Sequence, residues 1–163
     1  MERYQHYVYT LVKRTCPHPA EAEELAQDVF VKAYEHLREF RGEAAFTTWL
    51  YRIAFNTAIS HARKKRQYTV SINKVDPNRF SLFEQEVQEI RDEAMRKERA
   101  YDVLERALST LPAEEQMLIS LYYKEDLKME EVAYISGLTL SNTKVRIHRI
   151  RKRLHLLYES TTV

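Results

Sequence analysis

Apolar side chains return at three- and four-residue steps along most of the chain, the period of helices that bury one face. The clearest stripe, Leu25, Val29, Phe30, Ala33, Leu37 and Phe40, predicts a helix from about Ala20 to Phe40. Pro19 suits its first position, Glu21, Glu23 and Glu24 complement the positive end of the helix dipole, and Gly42 stands where the helix is expected to end. A second helix is predicted from an N-cap at Thr47 or Thr48 toward Arg66, with Leu50, Ile53, Ala54 and Thr57 on one side. Tyr4 to Lys13 predicts a shorter helix ahead of Pro17. From Gln67 to about Asn78 the period lapses and Pro77 appears, which predicts an inter-domain linker with a boundary between 67 and 95.

Periodicity resumes through Ala94, Tyr101, Leu104 and Leu108, and Pro112 can open a helix over Ala113 to Tyr123. Leu127, Val132, Ala133 and Ile135 then predict a short helix stopped by Gly137. A longer one follows from about Ser141, with Leu140, Ile147, Ile150, Leu154 and Leu157 inward.

Composition narrows the fold class. The 163 residues include only 2 Gly and 4 Pro, too few for Gly-rich phosphate loops or for a turn-rich β fold. An all-α protein is expected. A single cysteine, Cys16, cannot form an internal disulfide, no stretch reads as a signal peptide or a membrane span, and a cytoplasmic location is expected.

The net charge of +2 says little about partners, but its distribution says more. Arg63-Lys64-Lys65-Arg66 forms one basic cluster. Lys144, Arg146, Arg149, Arg151, Lys152 and Arg153 form another without an intervening acid, and an acidic run from Asp76 to Glu93 separates the two. A short helix, a glycine-containing turn and a longer basic helix match a helix-turn-helix unit, whose second helix enters the major groove of DNA. Opposite Ile147 and Leu154 stand Ser141, Val145, His148 and Lys152, with Asn142 and Arg149 beside them. These groups suit base edges and phosphates, and Val145 suits a thymine methyl. The alternative is a solvated cationic face, which like-charge repulsion one turn apart disfavours. Between Gly42 and Arg66, aromatics and bases interleave, a pattern suited to unstacked nucleic acid. Trp49, Tyr51 and Phe55 at helical spacing equally suit a core.

Three runs carry a family resemblance: Glu24-Leu25-Ala26-Gln27-Asp28-Val29-Phe30-Val31-Lys32-Ala33-Tyr34; Phe40-Arg41-Gly42; and Phe46-Thr47-Thr48-Trp49-Leu50-Tyr51-Arg52-Ile53-Ala54-Phe55-Asn56-Thr57-Ala58. With Leu111-Pro112 and the run Lys144 to Leu154, the chain resembles the extracytoplasmic-function group of bacterial RNA polymerase sigma factors. The resemblance implies a region 2 bundle over 1–70, a partly flexible acidic linker over 71–95 and a region 4 helix-turn-helix over 96–163. It implies binding to core RNA polymerase through the β′ clamp helices and β flap, recognition of promoter DNA, and an anti-sigma factor as a further partner.

Region 2 would open the −10 element, with Phe40, Arg41, Trp49, Arg52, Asn56, Arg63, Lys64, Lys65 and Arg66 at the DNA. Asp28, Lys32 and Glu35 would face polymerase. Region 4 would read the −35 element through Ser141, Asn142, Lys144, Val145, His148, Arg149 and Lys152. Members usually carry more residues ahead of Tyr4, so the first helix is expected to be short. The linker acids Glu84, Glu86 and Glu89 are expected to mimic nucleic acid near the RNA exit path.

Two other readings compete. A helix-turn-helix repressor explains residues 127–157 but not the N-terminal runs. An enzyme or metalloprotein would need a site, and Cys16-Pro17-His18 is the one compact ligand-like cluster. Two ligands at i and i+2 are weak evidence, and a buried, idle thiol accounts for the cysteine. No catalytic residue, metal or cofactor is expected.

Overall fold

The structure, a computed structural model, describes residues 2–16, 18–72 and 92–162, with side chains over 4–16, 18–66 and 101–158. Among the described residues it contains α-helices, one 3-10 turn and no strand. The helices are α1 (Glu2–Lys13), α2 (Pro19–Glu35), α3 (Phe46–Ile72), α4 (Asp92–Ser109), α5 (Ala113–Tyr123), α6 (Met129–Ser136) and α7 (Leu140–Thr162). Most of the acidic run, including Glu84, Glu86 and Glu89, lies outside the described residues, and its last acids, Asp92 and Glu93, open α4.

α1, α2 and α3 pack into one bundle. Val8, Leu11 and Val12 of α1 meet Leu25 and Val29 of α2 and Leu50 and Phe55 of α3 in a common core. Ala22, Ala26 and Ala33 on α2 and Ala54 and Ala58 on α3 are buried as well, and such small side chains let helices approach closely. The second bundle is built from α4 to α7 around Met117, Leu118, Leu121, Val132, Ile135, Ile147 and Ile150.

Several predicted boundaries shift for identifiable reasons. Pro19 does open α2, but the helix ends at Glu35 instead of running to Phe40. Leu37–Glu39 tighten into a 3-10 turn, with Glu39 N donating to His36 O at 2.9 Å and Phe40 N to Leu37 O at 3.2 Å. A 3-10 turn advances 120° per residue, so the apolar stripe loses phase and Leu37 emerges 47% exposed. Gly42, at φ +72°, therefore serves the loop after this turn and not the helix end.

α3 starts at Phe46, one to two residues before the expected caps, with Trp49 N donating to Ala45 O. Thr47 and Thr48 are consequently inside the helix. It also continues through Ile72, past the predicted lapse at Gln67, since no glycine or proline intervenes before Pro77.

The helix-turn-helix forms as expected. Gly137 closes α6 in the left-handed region at φ +70° and ψ +16°. Thr139 caps α7, its Oγ1 accepting the Asn142 N–H at 3.2 Å, so the helix begins at Leu140. A Cβ at Gly137 would meet nothing within 4 Å, so the cost of Gly137→Ala comes from backbone conformation alone. The substitution is expected to lower stability by about 1 kcal/mol, read from a urea midpoint at unchanged m-value.

The two bundles dock, α3 lying against α6 and α5. Tyr51, buried on α3, donates its phenol hydrogen to Glu125 Oε2 at 2.5 Å. Burial, reinforced by that carboxylate, pushes the Tyr51 pKa far above the ordinary phenol range and keeps it a donor. The Arg52 guanidinium stacks on the Tyr134 ring at 4.7 Å. Glu131 serves both sides, one oxygen accepting the Lys128 N–H at the start of α6 and the other the Thr48 hydroxyl. Arg14 closes the far edge on Glu105 at 3.0 Å.

Candidate nucleic-acid interface

On α7 the helical period separates two kinds of base. Ile147, Ile150 and Leu154 are buried, and Arg146 and Arg153 reach back to pair with Glu114 and Glu115 of α5. Those two arginines are committed to ion pairs within the bundle. Ser141, Asn142, Lys144, Val145, His148, Arg149 and Lys152 are all exposed. Among the described residues, Lys144, Arg149 and Lys152 have no ion-pair partner, so their charge is directed outward. The face selected from sequence is thus the one whose donors and cations are uncommitted.

In the N-terminal bundle, Phe40, Phe46 and Trp49 form a triangle of rings with centroids 5.3–5.6 Å apart, and Tyr4 adds a fourth ring against Phe46. Such tilted and edge-on pairs suit the aromatic quadrupole. Tyr51 and Phe55, by contrast, are buried core residues. Phe40, Arg41, Glu39, Glu43 and Trp49 line a depression of about 220 Å³, and Tyr134 of α6 forms part of its wall. Asn56 is exposed on α3 in the i+7 register from Trp49, beyond Arg52, and does not line this depression. Arg63, Lys64, Lys65 and Arg66 continue exposed along the same helix.

Lys65 donates to both oxygens of Glu21, at 2.7 and 2.9 Å, and that hydrogen bond holds the Glu21 carboxyl below its usual range. The remaining predicted sites, Asp28, Lys32 and Glu35, form an exposed row on α2, where Lys32 Nζ also donates to Thr57 Oγ1 at 3.3 Å.

Two features escaped the sequence. Val31 and Tyr34, 56% and 71% exposed, place apolar surface beside the Asp28–Glu35 row. They break the heptad-like burial of α2, the one signal that could have separated them from the core. Tyr134 covers Arg52 only because two bundles far apart in the chain meet, and no local pattern encodes that.

An aromatic depression leading into a basic helix, coupled to a helix-turn-helix with an unpaired cationic face, defines a bipartite helical DNA-binding protein. Family models agree at both ends: Sigma-70 region 2 matches residues 1–68 and Sigma-70, region 4 matches residues 101–154. The ECF RNA polymerase sigma-E factor of Escherichia coli (strain K12) is 33% identical over 156 residues, covering 93% of this chain and 81% of that protein. The RNA polymerase sigma-H factor of Pseudomonas aeruginosa is 31% identical over 93% of this chain and 80% of its own length. The fold resembles that of the sigma factor RpoE in complex with the anti-sigma factor NepR from Bartonella quintana, with a TM-score of 0.69, 21% identity and coverage of 95% and 91%. It also resembles CnrH in complex with the cytosolic domain of CnrY, with a TM-score of 0.65, 21% identity and coverage of 98% and 84%.

The chain belongs to the extracytoplasmic-function family of RNA polymerase sigma factors. It is an alternative sigma factor, a non-enzymatic regulator that binds core RNA polymerase and promoter DNA to start transcription.

Proposed function

We propose a division of labour between the two bundles, with region 2 over 1–70, a linker over 71–95 and region 4 over 96–163. α7 enters the major groove at the −35 element, Ser141, Asn142, Val145 and His148 meeting base edges while Lys144, Arg149 and Lys152 hold phosphates. Phe40, Arg41, Trp49, Arg52 and Asn56 receive a non-template base turned out of the −10 element, and Arg63, Lys64, Lys65 and Arg66 follow the backbone beside it. Asp28, Lys32 and Glu35, flanked by Val31 and Tyr34, dock on the polymerase clamp helices. The apolar groove formed by Leu104, Leu108, Ile119, Tyr123 and Leu154 suits the β flap. The observation that carries this reading is the contrast on α7 between arginines paired within the bundle and cations left facing out.

In the docked arrangement Tyr134 covers Arg52 and borders the aromatic depression, so engaging DNA there requires the bundles to part. This arrangement accompanies a likeness to a sigma factor co-crystallised with an anti-sigma factor, and supports an anti-sigma factor as a partner here. No helix among the described residues is long and apolar enough to cross a membrane, in keeping with work beside polymerase in the cytoplasm.

Core polymerase carrying Asn56→Ala is expected to bind promoter duplex as wild type does, yet to lose about 5- to 150-fold in open complex, as one polar contact to a flipped base is worth about 1–3 kcal/mol. Permanganate reactivity of −10 thymines reads this directly. Normal melting by the variant would remove Asn56 from the contact set.

A further inference from the structure

Cys16 follows the end of α1, Glu21 stands in the first turn of α2, and His61 sits about three-fifths of the way along α3. The bundle brings these separate segments together. Cys16 Sγ, a Glu21 carboxylate oxygen and a His61 ring nitrogen all lie within 4.8 Å of one another. The site is sheltered, with Cys16 8% exposed and the Glu21 and His61 side chains 20% and 35% exposed. His61 Nε2 lies 3.6 Å from Glu21 Oε1, while its Nδ1 is withdrawn from solvent with no hydrogen-bond partner.

An imidazole in a purely structural role satisfies its buried nitrogen with a carbonyl or hydroxyl. The nitrogen that faces the carboxylate is Nε2, 3.6 Å from Glu21 Oε1 and beyond hydrogen-bond length, in a cluster that also holds a thiol. Sulfur, nitrogen and oxygen donors from one Cys, one His and one Glu are a zinc-type set, which neither a hard cation such as magnesium nor an anion would select. A tetrahedral ion with bonds of about 2.0–2.3 Å holds its ligand atoms roughly 3.3–3.8 Å apart. The His61–Glu21 spacing already meets that, and closing the rest takes about an ångström of side-chain movement.

We propose that Cys16, Glu21 and His61 bind a divalent ion of the zinc class, pinning the α1–α2 turn to α3. The chemistry balances without any change of oxidation state. The metal–sulfur bond forms as the Cys16 thiol releases its proton to solvent, His61 coordinates through a neutral lone pair, and Glu21 is already ionised. Glu21 also holds Lys65, so coordination draws on one partner of a side chain assigned above to the DNA backbone. This site stands apart from the promoter-binding reading, and its failure would leave that reading intact.

The probe is Co²⁺ alone, added to the reduced, metal-free, untagged full chain. A thiolate-to-cobalt charge-transfer band is diagnostic because the chain has one cysteine. The expected result is a band saturating at one Co²⁺ per chain and bleached by Zn²⁺. It should be absent in Cys16→Ser, and Co²⁺ affinity should fall at least about 10-fold in Glu21→Gln and in His61→Gln, both with wild-type circular dichroism. No band in the wild-type chain, or undiminished affinity in both the Glu21 and His61 variants, would overturn the proposal. Because Glu21 and His61 are partly solvated, their variants keep the test valid even if Cys16→Ser fails to fold.

Discussion

Replacing Arg149 and Lys152 together by alanine is expected to cut region 4 affinity for promoter duplex roughly 60-fold at ~0.1 M salt and to lower the slope of log K against log salt by about two. The number follows from counterion release. Each phosphate neutralised contributes a slope of about −0.9, hence nearly an order of magnitude at that salt for each contact removed. The structure makes these two side chains the appropriate choice. Both are exposed, and neither has an ion-pair partner among the described residues, so truncation removes charge without unmaking the bundle. Arg146→Ala and Arg153→Ala provide the contrast. They break pairs with Glu114 and Glu115, and should shift the denaturation midpoint more than the salt slope. Titrations at several salt concentrations decide the matter, and an unaltered slope in the double variant would exclude both residues from phosphate contact.

The second large effect concerns the docked bundles. A chain carrying Glu125→Ala and Tyr134→Ala loses the carboxylate that Tyr51 binds and the ring on which Arg52 stacks. A charged hydrogen bond and a cation–π contact together amount to roughly 2–5 kcal/mol, which shifts a docked-to-open equilibrium by on the order of 30-fold or more. The buried Tyr51 hydroxyl adds to this, since docking would then leave it without an acceptor. Small-angle scattering should report a larger radius of gyration, and a single-stranded −10 oligonucleotide should bind more tightly because Arg52 and the aromatic depression are uncovered. If size and binding both match wild type, those contacts do not hold the bundles together.

Local chemistry explains how far the sequence could be read. The helices, the Gly137 stop and the opening role of Pro112 follow from apolar period and backbone preference, which act over a few residues. The stop of α2 did not, because nothing in Leu37–Glu39 announces a 3-10 turn, and the stripe through Leu37 continued on paper after the backbone had changed its pitch. The cap expected at Thr47 or Thr48 failed because the helix already starts at Phe46, with Trp49 N donating to Ala45 O, and the Thr48 hydroxyl donates instead to Glu131, 83 residues away. The site divides in the same manner. The α7 face was legible from its period, whereas the pairing of Arg146 and Arg153 with α5 required knowing which helix lies opposite. Cys16 carried little weight until α3 brought His61 alongside it and Glu21.

The placement of Trp49 has a practical outcome. It is the chain's sole indole and sits in a cleft partly walled by Tyr134. Steady-state emission from the unlabelled protein is therefore a built-in gauge, red-shifting when water reaches that ring as the halves come apart.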